Sequence, residues 1–217
     1  MKTVAVLLSL LFTAVVALGQ DTPRWELFGG YQYTRFNTGN AQSELNLASQ
    51  TLGLPPLLLG SHLNLGGWNT SLQENTNHWL GGVLDFSGNY NTKNLTLLQA
   101  PGVTDILRDR IRFYTFMGGP QVTMRQSGRL QPFARALFGG ATVTVETTEL
   151  INGAPAGPSL KGSNTGFAMG GGGGLDFHMF HHVALRVAGD YIRAYLGDDS
   201  AGHLRVSGGL DLRIGSG

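Results

Sequence analysis

The stretch LRVSGGLDLRIG, residues 204–215, changes character at every step. Leu204, Val206, Gly208, Leu210, Leu212 and Ile214 fall on one face; Arg205, Ser207, Gly209, Asp211 and Arg213 fall on the other. A period of two marks a strand whose faces meet different surroundings. The segment before it repeats the pattern, with Val183, Leu185, Val187 and Tyr191 opposite Arg186 and Asp190. Further upstream, Leu80, Leu84, Phe86 and Tyr90 oppose Asp85, Ser87 and Asn89, and Ile111, Phe113 and Met117 are read as opposing Arg110 and Arg112.

Carried along the chain, this reading gives eight strands, at 24–36, 62–75, 79–92, 108–124, 131–147, 164–178, 182–195 and 202–215. Phase shifts at Gly66-Gly67 and Gly139-Gly140 are read as bulges or glycine bends. Short connections (76–78, 125–130, 179–181) alternate with longer ones (37–61, 93–107, 148–163, and a moderate 196–201). Short turns at one end and long loops at the other are the outer-membrane pattern. The expected fold is therefore all-β, an eight-stranded antiparallel up-and-down transmembrane β-barrel.

Alternation alone also fits a soluble barrel, so the faces must be oriented. Charged residues are 13% of the chain, against about a quarter in ordinary domains. After residue 2, Lys occurs only at 93 and 161, both expected in loops. A solvated barrel exterior would carry Lys in quantity; an exterior in lipid would not. The polar face then lines the lumen, where eight strands leave too little room for an open pore. Charges held there need partners. Glu26, Asp85, Arg112, Asp176, Arg186, Asp190, Arg205, Asp211 and Arg213 are the expected ionic network. Counting from the turns sets Asp176, Arg186 and Asp211 near one another, and Glu26 beside Arg213 where the last strand closes on the first. Trp25, Trp79 and Phe177 are expected at one membrane interface, and Tyr90, Tyr191 and Tyr195 at the other.

The N-terminus has Lys2, an apolar run from Val4 to Leu18, and small residues Ala17 and Gly19 ahead of Gln20. This reads as a signal peptide, 1–19, followed by one barrel domain, 20–217. The expected destination is the outer membrane of a two-membraned bacterium, with the termini in the periplasm. No cysteine is present, so stability comes without disulfides. Net charge is +1 and no basic run suggests nucleic acid.

Four segments resemble the small outer-membrane β-barrel family of the OmpA transmembrane domain and OmpX. They are GGWNTSLQENTNHWLGGVLDFSGNY (66–90), FYTFMGGPQVTMRQSGRLQPFARALFGG (113–140), GGGLDFHMFHHVALRVAGDYIRAYL (172–196) and the closing stretch. The resemblance implies a closed barrel with no cofactor and no catalytic site. Its expected partners are outer-membrane lipid and lipopolysaccharide, and the barrel-assembly machinery during biogenesis. The chain ends Ile214-Gly215-Ser216-Gly217 without the terminal aromatic residue that such chains often carry, which bears on assembly more than on fold.

Three motifs suggest chemistry. His178, His181 and His182 lack a carboxylate or thiol at ligand spacing and read as turn residues. Gly170 to Gly174 lack the Lys-Ser/Thr of a phosphate loop and read as room for a crowded lumen. Ser61, His62 and His203 near the long-loop rim could serve a lipid-modifying enzyme, but nothing orients them as a triad. The long connections are the more informative candidates. Leu52, Leu54, Leu57, Leu58 and Leu59 in 37–61, and Leu95, Leu97 and Leu98 in 93–107, form apolar clusters that suit a ligand-docking surface or a packed lid. The leading expectation is a non-enzymatic barrel with an envelope-structural or surface-presentation role. Alternatives are adhesion or ligand binding through 37–61 and 93–107, a lipid-modifying enzyme, or a narrow channel.

Overall fold

A computed structural model describes residues 22–37, 62–100, 103–125, 129–196 and 199–216. The barrel strands are β1 (Pro23–Asn37), β2 (His62–Asn75), β3 (Leu80–Ala100), β4 (Val103–Thr123), β5 (Leu130–Ile151), β7 (Leu160–Phe180), β8 (Val183–Leu196) and β9 (Asp199–Ser216). A two-residue strand, β6 (Ala154–Pro155), folds back on the end of β5. All neighbours are antiparallel, and β9 pairs with β1 to close the sheet, so the molecule is an eight-stranded up-and-down barrel.

Two expected loops are instead largely strand. The 93–107 region is a continuation of β3 and β4, paired through Lys93↔Asp109, Leu95↔Leu107 and Ala100↔Val103, with a bulge at Thr96/Leu98. The 148–163 region carries β5 on to Ile151 and starts β7 at Leu160. Asn152 (φ 52°) and Gly153 (φ 82°) make the two-residue return between β5 and β6. Positive φ at both central positions is the type I′ hairpin requirement, and Asn-Gly meets it with least strain. These extensions add backbone hydrogen bonds where the sequence reading placed loops.

The expected bulges at Gly66-Gly67 and Gly139-Gly140 are also corrected, because the β1–β2 and β4–β5 registers run through both pairs without a shift. Besides Thr96/Leu98, register shifts at His178/Phe180, beside the β7–β8 turn.

The exterior is apolar. Leu27, Leu72, Leu84, Phe86, Phe116, Phe138, Leu175, Val187, Val206, Leu210 and Leu212 are all exposed, while charged side chains on neighbouring positions are buried inside. This inversion of the soluble pattern belongs to a transmembrane barrel. Trp79 and Phe177 lie outward at the short-turn end, and Trp25 is half-buried at the same end. Tyr90 and Tyr191 lie outward toward the opposite end. There the Trp68 indole Nε1–H donates to the Tyr90 hydroxyl at 3.2 Å, and Tyr90 meets Tyr114 edge-on.

One strand runs in the opposite phase to that expected. Phe113 and Met117 point inward and are fully buried, while Tyr114 and Phe116 face out. Residues directly opposite in a ladder share a face. Asn89↔Phe113, Ser87↔Thr115 and Asp85↔Met117 therefore fix the phase from β3.

Candidate functional site

The lumen is filled in layers. Next to the short turns lies a six-membered ionic cluster. Arg186 sits between Asp176, with two bonds of 2.7 and 2.8 Å, and Glu26 at 2.8 Å, and Asp211 lies 3.5 Å away. Arg213 reaches Asp176 at 3.2 Å and Asp211 at 3.3 Å. Arg125, from the β4–β5 connection, pairs with Glu26 and donates to the His78 carbonyl at 3.0 Å. Three carboxylates thus face three guanidiniums, all but fully buried. The register explains the convergence, since Glu26↔Arg213 and Asp176↔Arg186 are direct ladder partners and Asp211 is opposite Ala184.

A second cluster lies one layer further in. Arg205 bonds Asp85 at 2.7 Å and Asp190 at 2.8 Å, and Arg135 bonds Asp190 at 2.7 Å and Asp85 at 3.4 Å. Two acids and two arginines close a ring with contributions from β3, β5, β8 and β9. Asn69 donates to Asp85 at 3.1 Å. The Phe133 ring lies between the clusters, with the Arg186 guanidinium 4.8 Å and that of Arg135 5.9 Å from its centroid. Inward glycines of β7 make room for this packing. A Cβ on Gly172 would run into the Gly189 carbonyl and the Asp190 carboxylate, and one on Gly174 into the Val187 carbonyl and the Phe133 ring.

Beyond the second cluster the fill turns uncharged, apolar on the side of β4, β5, β7 and β8 and polar where Thr34 bonds Asn89 and Ser87 bonds Thr115. Val83, Phe113, Met117, Leu137, Ala141, Ala168, Ile192 and Ala194 form one buried cluster, and the His203 ring meets Phe113 at 5.1 Å. Among the described residues, charge therefore fills the closed part of the lumen toward the short-turn end.

Eight of the nine sequence-expected charges lie in the two clusters. The exception is Arg112. It points outward near the long-hairpin end, where its guanidinium is 3.5 Å from Glu146 and partly exposed. This follows from the reversed phase of β4. Arg125 and Arg135 were not anticipated. The signal for Arg135 was present: it alternates with Gln131, Phe133 and Leu137 against Leu130, Pro132, Ala134 and Phe138, and it is the only Lys or Arg of β5. Arg125 falls outside the strands and has no such periodic signature.

Leu52, Leu54, Leu57, Leu58 and Leu59 lie outside the described residues. Leu95, Leu97 and Leu98 lie in β3, with side chains that also fall outside the described part. His203 is buried in the lumen rather than set at a lipid-facing rim; Ser61 and the His62 side chain lie outside the described residues. His181 and His182 are exposed at the β7–β8 turn and His178 is half-buried. Carboxylate oxygens of Glu26, Asp176 and Asp211 come within 4.8 Å of one another, a spacing a cation could use. Arg125, Arg186 and Arg213 already neutralise them, so the chemistry of the site is structural ion pairing.

An apolar exterior, a closed barrel and a lumen packed with paired charge define a small transmembrane β-barrel of the outer-membrane type. Solved structures agree. The attachment invasion locus protein Ail of Yersinia pestis, in complex with the heparin analogue sucrose octasulfate, is 16% identical with a TM-score of 0.56, covering 88% of this chain and 99% of that one. Neisserial surface protein A is 11% identical with a TM-score of 0.55, covering 88% and 97%. No protein-family model and no curated protein matches the chain. At such identities the likeness is one of fold.

Proposed function

We propose that the chain is exported, loses residues 1–19, and folds as a non-enzymatic barrel in the outer membrane of a two-membraned bacterium, with both termini in the periplasm. Its role is then structural or presentational: it fixes a sheet above the membrane surface. The observation that supports this reading is the balanced ionic fill across the lumen, combined with four strands that outrun the rest. The last β2–β3 partner is Gly66↔Tyr90 and the last β7–β8 partner is Phe167↔Tyr195, yet β3 reaches Ala100 and β7 begins at Leu160. Among the described residues, β3, β4, β5 and β7 therefore rise as a four-stranded sheet with two free edges. Outer-membrane lipid, lipopolysaccharide and the assembly machinery are its partners on this reading.

Two measurements test it. Extracted protein should migrate differently on a gel before and after boiling, and a planar bilayer containing it should show no large, steady current. Soluble fractionation without a heat shift would overturn the membrane assignment, and sustained conductance would overturn the closed lumen.

A second reading, adhesion or ligand binding through 37–61 and the projecting hairpins, is favoured by the outward Arg110 and Arg112 on β4. The complex of Ail with a sulfated heparin analogue is a parallel for polyanion binding on this fold. Loss of cell or polyanion binding on shortening the β3–β4 hairpin, with the heat shift intact, would favour it.

A further inference from the structure

The two edges of the barrel differ in outward charge. At the short-turn edge Arg24 is matched by Glu74 at 3.7 Å. Above Glu74, the only charged outward residues of β8, β9, β1 and β2 among those described are Arg35 and Arg193, both cations. Arg193 is engaged, lying 5.5 Å over the Tyr195 ring and donating to the Ser200 hydroxyl at 3.0 Å. Arg35 is exposed and has no ion pair among the described residues.

Arg35 stands at the head of an open groove on the outer wall, about 410 Å³ in volume, lined by Tyr33, Arg35, Asn64, Leu204 and Val206. Register brings these five together: Arg35 pairs with Leu204 and Asn64, and Tyr33 with Val206. Rings flank it, since the Tyr31 hydroxyl lies over Gly66 and that of Tyr191 over Gly202. Tyr33 and Val206, nearer the barrel middle, and Leu204, level with Arg35, give apolar walls. The end nearer the long hairpins holds one amide and one guanidinium without an ion pair among the described residues. An apolar channel capped by a cation and a hydrogen-bond donor is complementary to an amphiphile with an anionic head.

We infer that this groove binds a phosphorylated lipid, its acyl chain along Leu204, Val206 and Tyr33 and its phosphate on Arg35 and Asn64. The inference rests on the lipid-facing reading of the exterior given above. Arg35 would then act as an interfacial anchor on the long-hairpin side.

Native mass spectrometry of the refolded barrel in neutral detergent tests it, with phosphatidic acid, diacylglycerol and inorganic phosphate as probes. Phosphatidic acid should bind at least about fivefold more tightly than diacylglycerol. Arg35→Gln should erase that preference, Arg35→Lys should keep most of it, and Arg24→Gln should leave it unchanged. The proposal fails if Arg35→Gln binds like the parent, if Arg24→Gln weakens binding equally, or if millimolar inorganic phosphate displaces the lipid, which would indicate a free-anion site. The heat-shift gel separates the two levels. A chain that neither shifts nor enters vesicles contradicts the membrane reading, whereas a shifting, inserting barrel without phosphate preference contradicts only the groove.

Discussion

The two ends of the lumen solve one packing problem by opposite means. Toward the short turns, Glu26, Asp85, Asp176, Asp190 and Asp211 are interleaved with Arg125, Arg135, Arg186, Arg205 and Arg213. Toward the long hairpins, Phe113, Met117, Leu137 and Ile192 pack together, alongside the buried but uncharged Thr34, Asn89, Ser87 and Thr115. Both fills bring side chains from facing strands into contact across the lumen. They differ in what a missing member leaves behind. Removing one ion leaves uncompensated buried charge, whereas removing one ring leaves a void. The ionic end specifies partners by geometry; the apolar end is satisfied by volume.

The sharpest way to break this comparison is Arg186→Ala. Arg186 contacts Asp176, Glu26 and Asp211 together, so its loss leaves three carboxylates to Arg125 and Arg213. Breaking a buried pair costs about 3–5 kcal/mol. The expected result is a fall of that size in unfolding free energy, read from urea titrations of protein in lipid vesicles, or failure to refold. Replacing a buried pair by apolar residues of similar volume is often neutral. The double variant Arg186→Met with Asp176→Leu should therefore recover part of the loss. A single variant as stable as the parent would show that the ionic layer contributes only bulk.

At the other end the matching change is Phe113→Ala. It removes a fully buried ring from the apolar layer, and Phe-to-Ala core changes cost about 3–5 kcal/mol. The lower part of that range, about 3 kcal/mol, is expected because His203 borders the ring and could shift into part of the space. Phe113→Leu should cost less than half as much. If Phe113→Ala proved more damaging than Arg186→Ala, the ranking of charge above volume would be reversed.

How much of this was legible in the sequence depends on how uneven each strand is. β9 places every charge on one parity and every large aliphatic on the other, so both its phase and its lumen residues are readable from residues 204–215 alone. β4 is ambiguous, because Phe113 and Met117 lie on one parity while Tyr114 and Phe116 lie on the other. Only its ladder with β3 decides, and a ladder is a tertiary fact. Arg112 was misplaced for that reason. The strand extensions were hidden differently: Asn94, Thr96, Thr104 and Asp105 look like loop, yet cross-strand pairing continues through them. Arg125 was invisible because turn residues carry no period, and its role arises only once Glu26 is held beneath the β4–β5 connection.

The smallest effect is expected where strands continue past the barrel. Deleting 96–105 and rejoining the hairpin with Asn-Gly removes Thr96↔Ile106, Leu98↔Asp105, Gln99↔Thr104, Ala100↔Val103 and Asp105↔Ile151, but touches no member of either ionic cluster and none of the apolar layer. The segment lies beyond the last β2–β3 partner at Tyr90, so no ladder of the closed barrel is lost. A two-residue Asn-Gly turn matches the twist of the flanking strands, and shortening a loop changes closure entropy by only about 0.6 kcal/mol per halving. Vesicle unfolding should therefore move by less than about 1 kcal/mol, and the heat shift should be unchanged. A loss comparable to that of Phe113→Ala would mean that the projecting sheet and the apolar layer stabilise one another as a single unit. The boundary between the fill and the display would then lie above the described rim rather than at it.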